Sequence, residues 1–141
     1  MRLVSALLAT LACAVALPAA ASTLPVCAGP DRAARKLTCI YDADTGWEHG
    51  VKWRLLDIDA PEIGNRDAGC KAETAIGKRA RDRLRSLMVP GYTIVGSSRR
   101  DRSKRALVRM TLADGRDAGA VLISEGLAQP WPNTGNRWCS Q

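Results

Sequence analysis

RLLDIDAPE, Arg54 to Glu62, is the stretch on which the fold turns. An arginine and a short apolar run lead into three carboxylates, Asp57, Asp59 and Glu62, with Pro61 between the last two. Together with the residues before it, Val51 to Asp59 (VKWRLLDID) reads as a strand. Pro61 stops that strand and holds Ala60 extended. In an uninterrupted strand Arg54 and Asp59 have opposite parity and face opposite sides. If both serve one site, the strand must break. The break is expected near Leu56 to Ile58, as a bulge or sharp twist of the kind found at barrel rims.

Upstream, Lys36 to Tyr41 (KLTCIY) is a short β-prone run, and Asp42 to Gly50 (DADTGWEHG) carries turn chemistry at both ends. Downstream, Ile63 to Gly69 reads as loop. Cys70 to Met88 then changes period: Ala72, Ile76, Ala80, Leu84 and Leu87 fall on one face of a helix, and Lys78, Arg79, Arg81, Arg83 and Arg85 crowd the others. Pro90-Gly91 ends it. Tyr92 to Gly96 is a strand, RRDRSKR (Arg99 to Arg105) a basic turn, and Ala106 to Leu112 an alternating strand. Asp117 to Leu127 is a short helix capped by Asp117. Short strands with inserted helices predict a mainly β, α+β domain: an OB-fold, five-stranded Greek-key barrel with two helices. It spans residues 36–128, between an irregular segment, 22–35, and a Pro/Gly-rich tail, 129–141, read as irregular.

The first 21 residues read as a secretory signal peptide. Arg2 precedes the apolar run Leu3 to Leu17, Pro18 breaks it, and Ala19-Ala20-Ala21 forms a cleavage pattern. The run is too short for a spanning helix, so the mature form is expected to carry no membrane anchor. The expectation is export, to a periplasm or outside the cell. Losing Arg2 from the formal +7 leaves +6. A basic exported domain suits a polyanion, but charge alone does not separate that from plain solubility. Cys27, Cys39, Cys70 and Cys139 remain after cleavage, an even count that reads as two disulfides. Of three connectivities the favoured one is Cys27–Cys39, closing a short loop, with Cys70–Cys139 tying the tail to the body. With one histidine, His49, and no C-x-x-C, a zinc site is not expected.

Asp42 and Asp44 lie at one strand end, and Asp57, Asp59 and Glu62 at another. If those ends adjoin, like charges converge and call for a cation. All-oxygen ligands favour a hard ion, Ca²⁺ or Mg²⁺. DADTGW starts like an EF-hand but fails it, with Trp53 where the closing glutamate belongs. Arg54 and Arg105 are the arginines placed to grip phosphate. One use unites the set: a metal neutralises a phosphodiester, arginines hold its oxygens, and a carboxylate activates water.

DADT (Asp42–Thr45), RLLDIDAPE, DRSKR (Asp101–Arg105) and GLA (Gly126–Ala128) occur in an order and spacing that resemble the staphylococcal (micrococcal) nuclease family. The resemblance covers roughly Lys36 to Ala128. It implies that Asp44 and Asp59 ligate Ca²⁺ by side chain and Ala60 by its carbonyl, with Asp42 behind them. It implies that Arg54 and Arg105 clamp the phosphate and that Glu62 is the general base or positions the attacking water. It further implies cleavage of DNA, RNA or both, leaving 3′-phosphate ends, by a protein expected to be monomeric.

Three departures accompany the match. Ala43 stands where the family has glycine, and a left-handed backbone there would strain it. Ser103-Lys104 replaces a Tyr-Gly pair before Arg105. The chain ends soon after GLA in PWPNTGNRWC, where Trp131 either stacks on a base or packs the tail. Trp47, Trp53 and Trp138 read as structural. The rival to an enzyme is an OB-fold nucleic-acid-binding module without catalysis.

Overall fold

The computed structural model describes residues 22–64 and 66–139; the predicted signal peptide lies outside them. Five strands form one sheet in the order β1-β2-β3-β6-β5: β1 Cys39–Ile40, β2 Thr45–Glu48, β3 Val51–Leu55, β5 Tyr92–Arg100 and β6 Ala106–Leu112. All neighbours are antiparallel except β3 and β6. Two short strands, β4 Ile58–Asp59 and β7 Gln129–Pro130, make a separate antiparallel ladder. The helices are α1, Lys71–Met88, and α2, Ala118–Ser124. Among the described residues the ladder does not close on itself. β1 contributes only two residues at one edge, and β5 at the other pairs with β6 alone. The five-stranded sheet and two helices make the mixed α+β fold expected, with no closed barrel among the described residues.

Other expectations need correction. Asp42 to Gly50 turns at both ends as read, but strand β2 lies between the turns. Gly46 sits flat against the Trp53 ring, where a side chain would collide, and Trp47 is buried. The chain reverses at both ends of the segment. Tyr41 to Asp44 bends between β1 and β2, with the Tyr41 and Asp42 amides donating to Thr45 O. His49-Gly50, with φ of 48° and 84°, has the paired positive values of a two-residue hairpin. β5 runs on to Arg100 through a register shift after Gly96, with Ser98 at φ 58°. The bulge carries pairing into a polar run that has no alternation to announce it. The tail is not wholly irregular, because Gln129–Pro130 pairs with Ile58–Asp59.

Helix α1 starts at its Cys70 cap, whose sulfur accepts from the Glu73 amide. Its buried face is Glu73, Gly77, Ala80, Leu84, Leu87 and Met88, while Ala72 is exposed and Ile76 half-buried. The predicted face is therefore turned by one residue at its start, because a carboxylate rather than a methyl is drawn inward. Gly77 permits this approach: a Cβ there would come 2.6 Å from the Pro61 carbonyl and 3.0 Å from that of Glu62. Helix α2 is capped by Asp117, whose carboxylate accepts from Ala120 N. Both helices cover a core of Ile40, Trp53, Leu55, Ile58, Met110 and Leu122. Each fully buried aliphatic chain of this kind contributes about 1.5–3 kcal/mol.

Candidate active site

The strand that carries Arg54 ends at Leu55. Leu56 N–H still donates to Val108 O at 2.9 Å, Asp57 then takes a left-handed φ of 62°, and Ile58 and Asp59 enter the other ladder. This break falls where parity demands one. It swings Asp59 to the side of Arg54, and Arg54 Nη2 lies 3.2 Å from Asp59 Oδ1 and 3.1 Å from Asp44 Oδ2. Asp44 arrives from the start of β2, whose Thr45 is paired with Arg54. Two acids fifteen residues apart in sequence thus converge on one guanidinium nitrogen.

Each partner is fixed further. Asp44 Oδ2 accepts from Ala60 N–H at 3.2 Å, and Oδ1 accepts from the Thr45 hydroxyl at 2.7 Å. That hydroxyl in turn accepts from Arg105 Nη1 at 3.0 Å. Asp101 grips Arg105 through Nε at 2.7 Å and through its amide at 2.9 Å. The Asp101–Arg105 turn passes through Lys104 at φ 61°, a left-handed residue where the resemblance expects glycine. Such a backbone costs about 1–2 kcal/mol on an L-residue. Ala43 does not take a positive φ, so the strain expected there does not arise; it is fully buried in the core.

Asp42 is buried, and its Oδ1 accepts from Asp44 N–H. Burial, then the charges of Asp44 and Glu62, hold its carboxyl well above the usual range. Glu62 is half-buried, and its carboxyl is pushed up to about 7 by burial first and by the Asp44 charge next, with Arg54 opposing. Its amide donates to Glu73 Oε1 at 3.1 Å. The structure therefore brings Asp42, Asp44, Asp59, Glu62, Arg54 and Arg105 to one end of the sheet. Asp57 does not join the carboxylates at Arg54 but pairs with Arg109 at 2.6 Å. The Ala60 amide, rather than its carbonyl, is the group seen engaged.

A cavity of about 700 Å³ opens beside this cluster, lined among others by Arg54, Asp59, Arg100, Arg102, Arg105 and Trp131. Trp131 is 54% exposed and faces the Arg54 guanidinium at 5.9 Å, so it does not pack the tail into the core. Trp47, Trp53 and Trp138 are buried, as a structural role requires. Both disulfides have the favoured connectivity, Cys27–Cys39 and Cys70–Cys139.

Sequence reasoning missed three polar residues around the site. Asp59 Oδ2 accepts from Gln129 Nε2 at 3.0 Å and from Asn133 Nδ2 at 2.9 Å. Glu73, 3% exposed, accepts from the amides of Glu62 and Gly69 and from the Asn136 side chain. The only signal for Glu73 was an acid in the first turn of a helix, which ordinarily marks nothing beyond the helix dipole. Gln129 and Asn133 had no signal at all, since the tail has no period to read.

The staphylococcal nuclease homologue family matches residues 52–136, and the chain belongs to that family. No curated protein matches it. Membership points to a nuclease-like function on a nucleic-acid substrate and to an OB-like fold. The two disulfides point to an oxidising, extracytoplasmic environment. No helix among the described residues is long and apolar enough to cross a membrane.

Calcium is typical of the family, and the donors present fit it by one criterion. A cationic nitrogen already stands between the Asp44 and Asp59 carboxylates. Among the described residues no three acidic, histidine or cysteine side chains gather closely enough to hold a metal by themselves. A hard cation bound between the two acids would fill its shell with backbone carbonyl and water oxygens, as such ions do.

Proposed function

We propose that the protein is an exported Ca²⁺-dependent nuclease that hydrolyses phosphodiester bonds of DNA, RNA or both. The observation that carries this reading is the meeting of Asp44 and Asp59 at one Arg54 nitrogen, within the electrostatic field of Glu62. Asp44, Asp59 and the Ala60 carbonyl would hold the cation, with Asp42 behind them. Bound there, a divalent cation supplies neutralisation of the scissile phosphate.

The remaining chemistry belongs to this chain's own groups. Arg54 and Arg105 hold the phosphate oxygens and stabilise charge as it develops. Glu62 orients a water for attack on phosphorus and accepts its proton. The P–O bond to the 5′-oxygen breaks, that oxygen takes up a proton, and a 3′-phosphate remains. Trp131 offers an exposed ring at the cavity mouth on which a base stacks, a contact of about 1–3 kcal/mol. An OB-like domain over residues 36–128, a cleaved signal peptide over 1–21, release to a periplasm or the medium, and a monomeric state complete the reading.

The test is to incubate the oxidised protein with single- and double-stranded DNA and with RNA, adding Ca²⁺, Mg²⁺ or a chelator, with Glu62→Ala in parallel. Calcium-dependent cleavage that the variant loses supports the reading. Binding without cleavage under every metal would replace the enzyme with a nucleic-acid-binding module.

A further inference from the structure

The tail beyond residue 128 reaches the candidate metal site directly. Of the two acids that meet at Arg54, Asp59 is the more open to solvent, its side chain 25% exposed against 5% for Asp44. Asp44 is fixed by its own neighbours, through the Thr45 hydroxyl and the Ala60 amide. Asp59 is fixed by the tail. Gln129 Nε2 and Asn133 Nδ2 both donate to Oδ2, which leaves Oδ1 turned toward Arg54 and, across that nitrogen, toward Asp44.

The two amides are themselves anchored. Gln129 Nε2 also donates to the Gly135 carbonyl at 3.1 Å, and Asn133 Oδ1 accepts from the Gly135 amide at 3.1 Å. β7 holds the segment against β4, with Gln129 opposite Asp59 in register. Farther on, Asn136 binds the buried Glu73, and Cys139 closes the segment onto Cys70.

We propose that Gln129 and Asn133 are positioning residues that set the Asp59 carboxylate for a divalent cation, so that the tail completes the metal site without supplying a ligand. This rests on the calcium-dependent reading above. A carboxylate whose one oxygen takes two N–H donors cannot rotate freely, so the other oxygen is presented in one orientation. Loss of such outer partners typically lowers metal affinity by about 10–100-fold.

Calcium affinity of the oxidised protein, measured by calorimetric titration without nucleic acid, tests this. The proteins compared are the parent, Asp59→Ala, Gln129→Met and the double variant Gln129→Met/Asn133→Leu, each with its calcium-free melting temperature. The expected result is calcium binding by the parent, its loss in Asp59→Ala, about a 10-fold loss in Gln129→Met and up to about 100-fold in the double variant. Gln129→Met removes one donor to Asp59, and its bond to the Gly135 carbonyl, but keeps the β7 pairing and the Asn133 contacts, so it reports even if the double variant fails to fold. Affinity within twofold of the parent in a folded Gln129→Met would overturn the positioning role while leaving the calcium reading in place. Calcium binding retained by Asp59→Ala would overturn it too. A parent that binds no calcium would overturn both.

Discussion

The two disulfides have the same chemistry and different work. Cys27–Cys39 spans 12 residues and staples the N-terminal segment to β1, where the Cys27 amide also donates to Ile40 O. Cys70–Cys139 spans 69 residues and joins the cap of α1 to the end of the tail, within reach of Glu73, Asn136 and, through them, the loop that carries Glu62. In the chain-entropy model the bridges contribute about 3 and about 4 kcal/mol. Their contributions to stability are thus similar. Their contributions to the site should differ far more, because only one ends beside Glu73, which holds the Glu62 amide, and closes the tail whose Gln129 and Asn133 hold Asp59.

The largest effects set the scale for that contrast. Glu62→Gln and Arg105→Ala should each lower cleavage by at least about 100-fold in a nuclease assay, with melting temperature little changed. Arg54→Ala is a poorer probe, since it strands the buried Asp44 and costs about 3–5 kcal/mol of stability. Next comes Cys70→Ser/Cys139→Ser, expected to lower calcium affinity by about 10-fold or more and to cost about 4 kcal/mol in denaturant titration. Combined with Glu62→Gln it should add little further loss of cleavage, because the two act on one unit. Cys27→Ser/Cys39→Ser should cost about 3 kcal/mol of stability yet hold cleavage and calcium affinity within about twofold of the parent. Equal losses of activity from the two pairs would break the comparison.

The smallest effect lies away from both bridges, where Tyr92 donates to Glu48 Oε2 at 2.9 Å. Burial first, and that hydrogen bond next, push the phenol from 10.0 up to about 12. The folded state therefore holds this proton more tightly than the unfolded chain. The stability it contributes is complete below pH 10 and is lost as pH rises toward 12. Denaturant titrations of the parent and Tyr92→Phe across that window should show a shallower loss in the variant.

The same contrast separates what was legible in the sequence from what was not. The strand order around RLLDIDAPE was readable because alternation and a proline stop are local, and parity required the break that Asp57 supplies. The gathering of Asp44, Asp59, Glu62, Arg54 and Arg105 at one end of the sheet was readable because their residue types, in that order, suit one chemistry. β2 was hidden because DADTG and HG read as turns, and the four strand residues between the two reversals, Thr45–Glu48, are too few to show a period. The burial of Glu73 was hidden because helical periodicity counts methyl groups and not the N–H groups that draw a carboxylate inward. Gln129 and Asn133 lie 70 and 74 residues from Asp59 in a segment with no repeat, so nothing local announces them.

If Asp44 and Asp59 hold a cation as proposed, Arg54 between them has a consequence for the life of the protein before that ion arrives. A chain with its own placeholder charge can finish folding in a metal-poor compartment and keep its acids from flying apart. A chelator should then silence such a protein without melting it, and a returning cation should restart it by displacing a side chain rather than by refolding a domain.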